Sequence, residues 1–306
     1  MIGSTDRAIR LAAFDWLTDL RSQLGDVLPR PTLLRGFEFR DGRIGLMSPQ
    51  AGIWKPAVCE LPLSIATTLS GQYPDGIDTA TGRIRYSYRG TDPRHRDNAG
   101  LRQAMLDRIP LVYFQAIVPG QYVAAYAAFV VGDDPAGLRF SVQVDDASSL
   151  LGDAEARGHL VAEDDSGPRR AYITATVQRR LHQVAFRQRV LHAYRQMCAL
   201  CRLRHLELLD AAHITPDSAP EGEPHVSNGL ALCKLHHAAF DSFFFTVTPD
   251  YRVEVRRSIL LESDGPMLIV GLQQIDGQTI QLPSHTAQRP DQARLEKRYE
   301  LFLRAS

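Results

Sequence analysis

Apolar and polar positions follow three different textures along this 306-residue chain. Within residues 1–30, Ile9, Ala12, Ala13, Trp16, Leu17 and Leu20 recur at the spacing of one helical face, which predicts an N-terminal helix. From about residue 31 the pattern becomes short apolar runs broken by Gly, Pro and Asp, as in FEFRDGRIGLMSPQ, GRIRYSYRG, IPLVYFQAIVPGQYVAAYAAFVVGDD and RFSVQVDD. Such runs predict strands, and RDGR between two of them predicts a hairpin turn. A small curved sheet or barrel is expected here. The third texture starts near residue 169. In VQRRLHQVAFRQRVLHAY, Val177, Leu181, Val184, Leu191 and Tyr194 fall close to one helical face while Arg179, Arg180, Arg187 and Arg189 mostly fall elsewhere. Further on, FFFTVTPDYRVEV predicts two strands around a Pro-Asp turn, and ARLEKRYELFLR a closing helix. No internal repeat or low-complexity tract interrupts these textures.

Charge divides the chain where its average does not. Thirty-five basic and 35 acidic residues cancel overall, so the whole-chain balance names no partner. Locally, seven acids lie between 145 and 165, followed by Gly167 and Pro168. This predicts a linker over 151–172 between a domain at 1–150 and a second at 173–306. Arg169 to Leu206 then holds nine arginines and no Asp or Glu. Such a stretch is either a solvated helix face or the footprint of a phosphate backbone. No apolar run reaches the length of a membrane span. The N-terminus lacks a basic start followed by an apolar core, so a cytoplasmic protein with no membrane partner is expected.

Three of the four cysteines gather near one region. CALC places Cys198 and Cys201 at C-x2-C, and CKLH places Cys233 and His236 at C-x2-H. Each pair can face one ion from a tight turn, and together they make a closed Cys3His set suited to structural Zn²⁺. The other reading is buried free thiols and a surface His.

That assignment leaves His213 and His237. LDAAHI, SNGLALC and HHAAFD, all behind C-x2-C, resemble an HNH endonuclease of the ββα-metal type over Val177 to Phe245. The resemblance implies that His213 is the general base on a strand and that Asn228 positions that strand from the loop before the helix. It implies that His237, on the helix, holds a catalytic divalent cation such as Mg²⁺ or Mn²⁺. Many such nucleases carry an acid immediately before the catalytic His; Ala212 stands there instead. Asp210 and Asp241 are the candidate acidic ligands, although strand alternation places Asp210 and His213 on opposite faces. GQTIQLP resembles a closing segment of bacterial HNH proteins.

YSYRGTDPRHRDNAGLRQAMLDRIPLVYFQAIVPGQYVA is similar to the N-terminal domain of modification-dependent restriction enzymes, in which a PUA-like or SRA-like barrel precedes the HNH domain. The resemblance implies a pocket for a flipped base, which needs a stacking wall and polar edge contacts. Trp54, Tyr86, Tyr88, Tyr113, Phe114 and Tyr122 are candidates for the wall, although each is also a candidate core residue. Asp97 and Asn98, in a stretch read as a loop, are candidates for the base edge. Arg83, Arg85, Arg89, Arg94, Arg96, Arg179, Arg180 and Arg187 are candidates for phosphates.

The expected architecture is α+β: an N-terminal PUA-like β-barrel domain and a C-terminal ββα-metal HNH domain with structural zinc. The expected function is cleavage of double-stranded DNA carrying a modified base such as 5-methylcytosine. One ββα-metal site cuts one strand, so a homodimer is expected for double-strand cleavage. Two rivals stand beside this reading. One is an HNH nuclease whose N-terminal domain reads unmodified DNA or a protein partner. The other is a non-catalytic zinc-stabilised DNA-binding protein, which would have no need of His213, Asn228 and His237.

Overall fold

A computed structural model of the chain describes residues 2–69, 77–78, 83–144, 167–217, 219 and 221–305; the side chains of 77, 78, 167–178 and 180 fall outside the description. The acidic tract at 145–165 therefore lies outside the described residues, as do the side chains of Val177 and Arg180. The chain divides into two compact units, residues 1–181 and 182–306.

The first unit opens with the predicted helix, α1 (Ser4–Leu24), which ends at Gly25 with φ +80°. Its buried stripe, Ile9, Ala13 and Leu17, packs with Leu28, Leu33, Phe37, Val112 and Phe114, and Ala12, Trp16 and Leu20 are half-buried beside it. One buried cation sits on this apolar face. Arg10 bonds Asp6 at 2.6 Å, and its other nitrogens donate to the carbonyls of Leu61, Pro62 and Pro110 at 2.9–3.1 Å. A buried ion pair is tolerated only when its remaining hydrogen-bonding capacity is met in this way.

A short helix α2 (Arg30–Arg35) leads to the hairpin β2 (Phe37–Phe39) and β3 (Gly42–Ile44), which turns at Arg40 with φ +52°. The main sheet comprises β1 (Val27–Pro29), β4 (Ile53–Trp54), β5 (Ser64–Ala66), β6 (Ile77–Asp78), β7 (Arg83–Ser87), β8 (Leu111–Val118), β9 (Gln121–Asp134) and β10 (Arg139–Val144). The order is β4-β5-β8-β9-β10-β7-β6, with β1 on β9, and only β5 and β8 run parallel. The sheet curls, and β4 and β6 are its two ends among the described residues, so it forms a half-barrel, between the curved sheet and the barrel that were expected. The loop read from GTDPRHRDN is shorter than expected. Helix α3 (Arg96–Leu106) starts inside it, with the His95 side chain accepting from the Asp97 amide.

Helix α4 (Gly167–Ala193) begins within the stretch expected as linker and runs on into the second unit. There, β11 (Leu209–His213) pairs antiparallel with β12 (Gly229–Cys233), from Leu209 opposite Cys233 to His213 opposite Gly229. Helix α5 (Lys234–Asp241) follows β12 without a break. The hairpin β13 (Phe245–Val247) and β14 (Val253–Val255) matches the expected strand pair. Helices α6 (Arg257–Leu260), α7 (Pro266–Gly271) and α8 (Gln292–Ala305) complete the unit. Its core draws Phe186, Val190 and Leu191 from α4, Tyr194 just past its end, Leu209 and Ala211 from β11, Leu230 to Leu232 from β12, Phe240 from α5 and Leu295 from α8. Val184, expected on the apolar face of α4, is only half-buried.

Candidate active site

Four side chains converge where α5 begins. Cys198, Cys201, Cys233 and His236 bring their donor atoms within 4.8 Å of one another. Cys201 and Cys233 sulfurs are 3.9 Å apart, and His236 Nδ1 lies 3.2 Å from Cys233 and 3.5 Å from Cys198. A tetrahedral zinc with ordinary bond lengths has edges of about 3.8 Å between sulfurs and about 3.6 Å from sulfur to nitrogen. The three shorter separations lie close to those dimensions, and the cluster could hold such an ion. Two outer contacts support it: the Cys233 amide donates to Cys198 Sγ at 3.3 Å, and His236 Nε2 donates to the Gly271 carbonyl at 2.8 Å. The second contact places the imidazole proton on Nε2 and leaves the Nδ1 lone pair for the ion. Cys59, the remaining cysteine, is buried in the first unit, where burial pushes its pKa up to about 11.

The adjacent residue faces elsewhere, as successive positions on a helix must. His237 lies between two carboxylates, with Nδ1 3.3 Å from Asp210 and Nε2 3.3 Å from Asp241. The bonds to Asp210 and then Asp241 raise its pKa to about 9, against the effect of burial. Burial works to raise the pKa of Asp210, but the His237 bond, the Ala211 amide and Arg187 together hold it below its ordinary value. The two carboxylates meet different nitrogens of one imidazole. Among the described residues, only the Cys3His cluster gathers three or more donors about one point.

His213 closes β11. Its ring stacks on Phe186 of α4 at 4.0 Å between centroids and 15° between planes. Burial lowers its pKa below 6.5; Asp217, Asp241 and Asp210 pull upward, while His237 adds to the lowering. Its Nε2 is buried with no hydrogen-bond partner. Strand alternation separates Asp210 from His213, yet both act in the field of His237 because His213 is the last residue of the strand, where the chain turns away.

Asn228 is fully buried and fixes that turn. Its Oδ1 accepts from the Thr215 amide at 2.8 Å, and its Nδ2 donates to the carbonyls of Thr215 and Glu223 at 3.0 and 3.2 Å. It stands before β12, one strand earlier than the loop before the helix in which it was expected.

Other expectations change more. Arg187 is occupied internally: it donates to the carbonyls of Leu206 and Leu209 and lies 3.5 Å from Asp210. It braces a carboxylate instead of presenting a free phosphate contact. Arg179 is exposed. In the first unit, Tyr86, Tyr113 and Phe114 are core residues on β7 and β8, and Tyr88, one residue past β7, joins them; β8 is covered on both faces, so its neighbours Tyr113 and Phe114 are both buried. Tyr88 also bonds Asp133, which Arg102 holds from α3 at 2.5 Å. Asn98 is buried and bonds the backbone of Arg89 and Asp92, so it ties the loop down and has no free edge for a base. Asp97 pairs with Arg89 and Arg96. Trp54 is half-buried and donates to the Gly45 carbonyl at 2.8 Å; Tyr122 is half-buried, and Arg83, Arg94 and Arg96 are exposed.

Two contributors escaped the sequence reading. Phe186 is one. Arg298 of α8 is the other: it lies 3.6 Å over the Phe240 ring and donates to the carbonyls of Ile214 and Phe240 at 3.3 and 2.6 Å. Burial brings its pKa down to about 10, so it stays charged at neutral pH and joins the end of β11 to α5. Its signal was an arginine at a core position, between Leu295 and Phe302, on an amphipathic helix.

Residues 198–248 match the model of the HNH endonuclease family. A solved structure described as a modification dependent TagI restriction endonuclease is similar at 18% identity, over 84% of this chain and 87% of that chain, with a TM-score of 0.31. At that score the superposition carries no conclusion across. Curated proteins yield no match.

Proposed function

We propose that the HNH endonuclease domain within residues 198–248 cuts DNA by metal-assisted hydrolysis, with His213 as general base, and that the first unit directs it to modified bases. The observation that carries the catalytic part is the juxtaposition of two imidazoles in opposite states. Burial favours the neutral form of His213, which can accept a proton near pH 7. His237 is held as a cation between carboxylates, in a place where a metal ion can replace its proton.

The donors fit a hard divalent cation. Two ligands in adjacent positions of an octahedral ion lie about 3 Å apart, close to the 3.3 Å between Asp210 and His237 Nδ1. Asp210 and His237 would hold the ion, and Asp241 would hold the Nε2 proton of His237, the usual division between a ligand and its outer partner. An ion held by Asp210 and His237 would supply positive charge against that developing on the phosphate and the leaving 3′ oxygen. His213 takes a proton from water as its oxygen bonds phosphorus and the bond to the 3′ oxygen breaks. Asn228 and Arg298 both fix the peptide between Ile214 and Thr215, and Arg187 braces Asp210. Zn²⁺ in the Cys3His cluster would join residues 198–201 to the start of α5.

His213→Ala tests the assignment. Cleavage of double-stranded plasmid DNA with Mg²⁺ or Mn²⁺ should fall by at least about a hundredfold, the lower range of general-base contributions. Zinc content and thermal stability should stay near those of the parent. Undiminished cutting overturns the role of His213.

For the first unit, its sequence resemblance to modification-dependent restriction enzymes and its curled sheet support a PUA-like module that reads a modified base. Trp54, Tyr122 and the exposed arginines 83, 94 and 96 remain the candidate contacts, since Tyr86, Tyr88 and Asn98 are engaged within the fold.

A further inference from the structure

We infer that Phe186 is a positioning residue for the general base, holding the His213 imidazole flat so that the nitrogen away from its buried edge faces the water to be activated. This rests on the reading of His213 as the base.

The geometry is specific. A centroid distance of 4.0 Å at 15° is a close parallel stack. Among the described residues no hydrogen bond fixes the His213 ring: its Nε2 is buried without a partner. Metal-bound and catalytic imidazoles are commonly oriented by a carboxylate or carbonyl on the second nitrogen, as His236 is by Gly271 and His237 by Asp241. His213 alone of these three lacks such a partner. Its orientation therefore depends on packing, and Phe186 supplies the flat surface.

The opposite strand is built around that ring. Gly229 pairs with His213 across the ribbon. A Cβ at Gly229 would lie 2.9 Å from Phe186 Cζ and 2.5 Å from Val190 Cγ2. Its φ is −131°, which any residue can adopt, so glycine is needed here for space and not for backbone conformation. The gap admits the edge of Phe186 beneath the strand. Phe186 is itself fully buried, on the same face of α4 as Val190, and cannot swing away without opening the core.

Misplacing a catalytic group by about 1 Å can cost on the order of a hundredfold in rate. Phe186→Met keeps the volume but removes the plane. In the full chain, loaded with zinc and assayed on plasmid DNA with Mn²⁺, Phe186→Met should lower kcat roughly ten- to a hundredfold. KM should hold, because Phe186 is buried and does not meet DNA. The pair is then tested through the base: in a His213→Ala background, Phe186→Met should cause no further loss, since a residue that acts through another is silent once the other is gone.

Parental kcat in Phe186→Met overturns the inference, as does an undiminished additional loss in the His213→Ala background. If Phe186→Met loses zinc or melts early, Phe186→Leu is scored by the same double-mutant comparison, which depends on the difference between backgrounds and not on stability alone. Should His213→Ala cut normally, the assignment of the base fails and not the stack. Should His213→Ala be inactive while Phe186→Met matches the parent, the stack alone is refuted.

Discussion

Two neighbouring histidines show how far identity at a residue depends on what surrounds it. His236 is sealed among three thiols and the Phe245 ring, and His237 stands between two carboxylates. The split was legible in the sequence, because C-x2-H claims one of the pair and helical rotation turns the other away. The acidic ligand was less legible. Ala212, where an acid was expected, is fully buried, so a carboxylate there would be desolvated, and Asp210 reaches His237 from two residues earlier. The role of Phe186 could not be read at all, since a stack between residues 27 positions apart leaves no local pattern. The environment of His237 makes a quantitative claim. With its pKa raised to about 9, it carries a proton at pH 7 that an incoming cation must displace. Affinity for Mn²⁺ should therefore rise with pH from neutrality and level off above about 9, with close to one proton released per ion at pH 7. Calorimetric titration of zinc-loaded protein in buffers of different ionisation enthalpy measures that release. A pH-independent affinity with no proton released contradicts the assignment. The same reasoning for His213 gives the opposite sign: burial lowers its pKa, so the acid limb of the cleavage rate should fall below pH 6.5, the ordinary value for an imidazole.

At the scale of elements, the second unit is a β-ribbon and a short helix held by what lies at their ends. Helix α5 has only eight residues and no side-chain cap, too short to persist alone. It is anchored at its start by the Cys3His cluster and at its end by Arg298, which bonds the Phe240 carbonyl. The cluster was readable because its ligands come in two short-range pairs, and the strands were readable from alternation. Arg298 was not, because the sequence showed a helix but not which element it would cover. Cys201 is the exposed ligand, so replacing it disturbs packing least and isolates the metal. Cys201→Ser should lower bound zinc below one per chain and reduce the melting temperature of the second unit. Binding free energies in zinc peptides are about 10–16 kcal/mol, comparable with the about 5–15 kcal/mol margin of a typical domain, so even partial loss should lower the melting temperature visibly. Atomic absorption and calorimetric melting, with and without a chelator, follow both. An unchanged melting transition with full zinc content would remove the cluster from the stability of α5. The shortened loop before α3 has a related cause. Asp97 and Asn98 favour loops and helix starts alike, and it is the buried carboxamide of Asn98, bonded to Arg89 and Asp92, that draws them into the first turn.

For the whole molecule, the proposed function divides choosing DNA from cutting it, and electrostatics offers a way to test the two tasks apart. Net charge is near zero, so long-range attraction to DNA depends on local patches: exposed Arg83, Arg94, Arg96 and Arg179 remain available, whereas Arg187 is consumed internally. Contacts of this kind hold phosphates and carry no base information. Selectivity must come from contacts to a base, and burial of Tyr86, Tyr88, Tyr113 and Phe114 narrows the candidate stacking wall to Trp54 and Tyr122. The sequence could not make that distinction, because strand alternation does not show that β8 is covered on both faces, burying its neighbours Tyr113 and Phe114 alike. The prediction separates the two contributions. Full-length His213→Ala, unable to cut, should bind a duplex carrying 5-methylcytosine more tightly than the same unmodified duplex. The preference should persist as salt is raised, because counterion release weakens both complexes alike. Trp54→Ala should reduce the preference while leaving the salt slope unchanged; Arg94→Ala should weaken binding to both duplexes and lower that slope by about one unit. Equal affinity for modified and unmodified duplexes at every salt concentration, across a panel of modified cytosines and adenines, would rule out modified-base reading by the first unit. Tight binding to one unmodified sequence in the same panel would instead make it a reader of ordinary DNA placed ahead of the same cutting site.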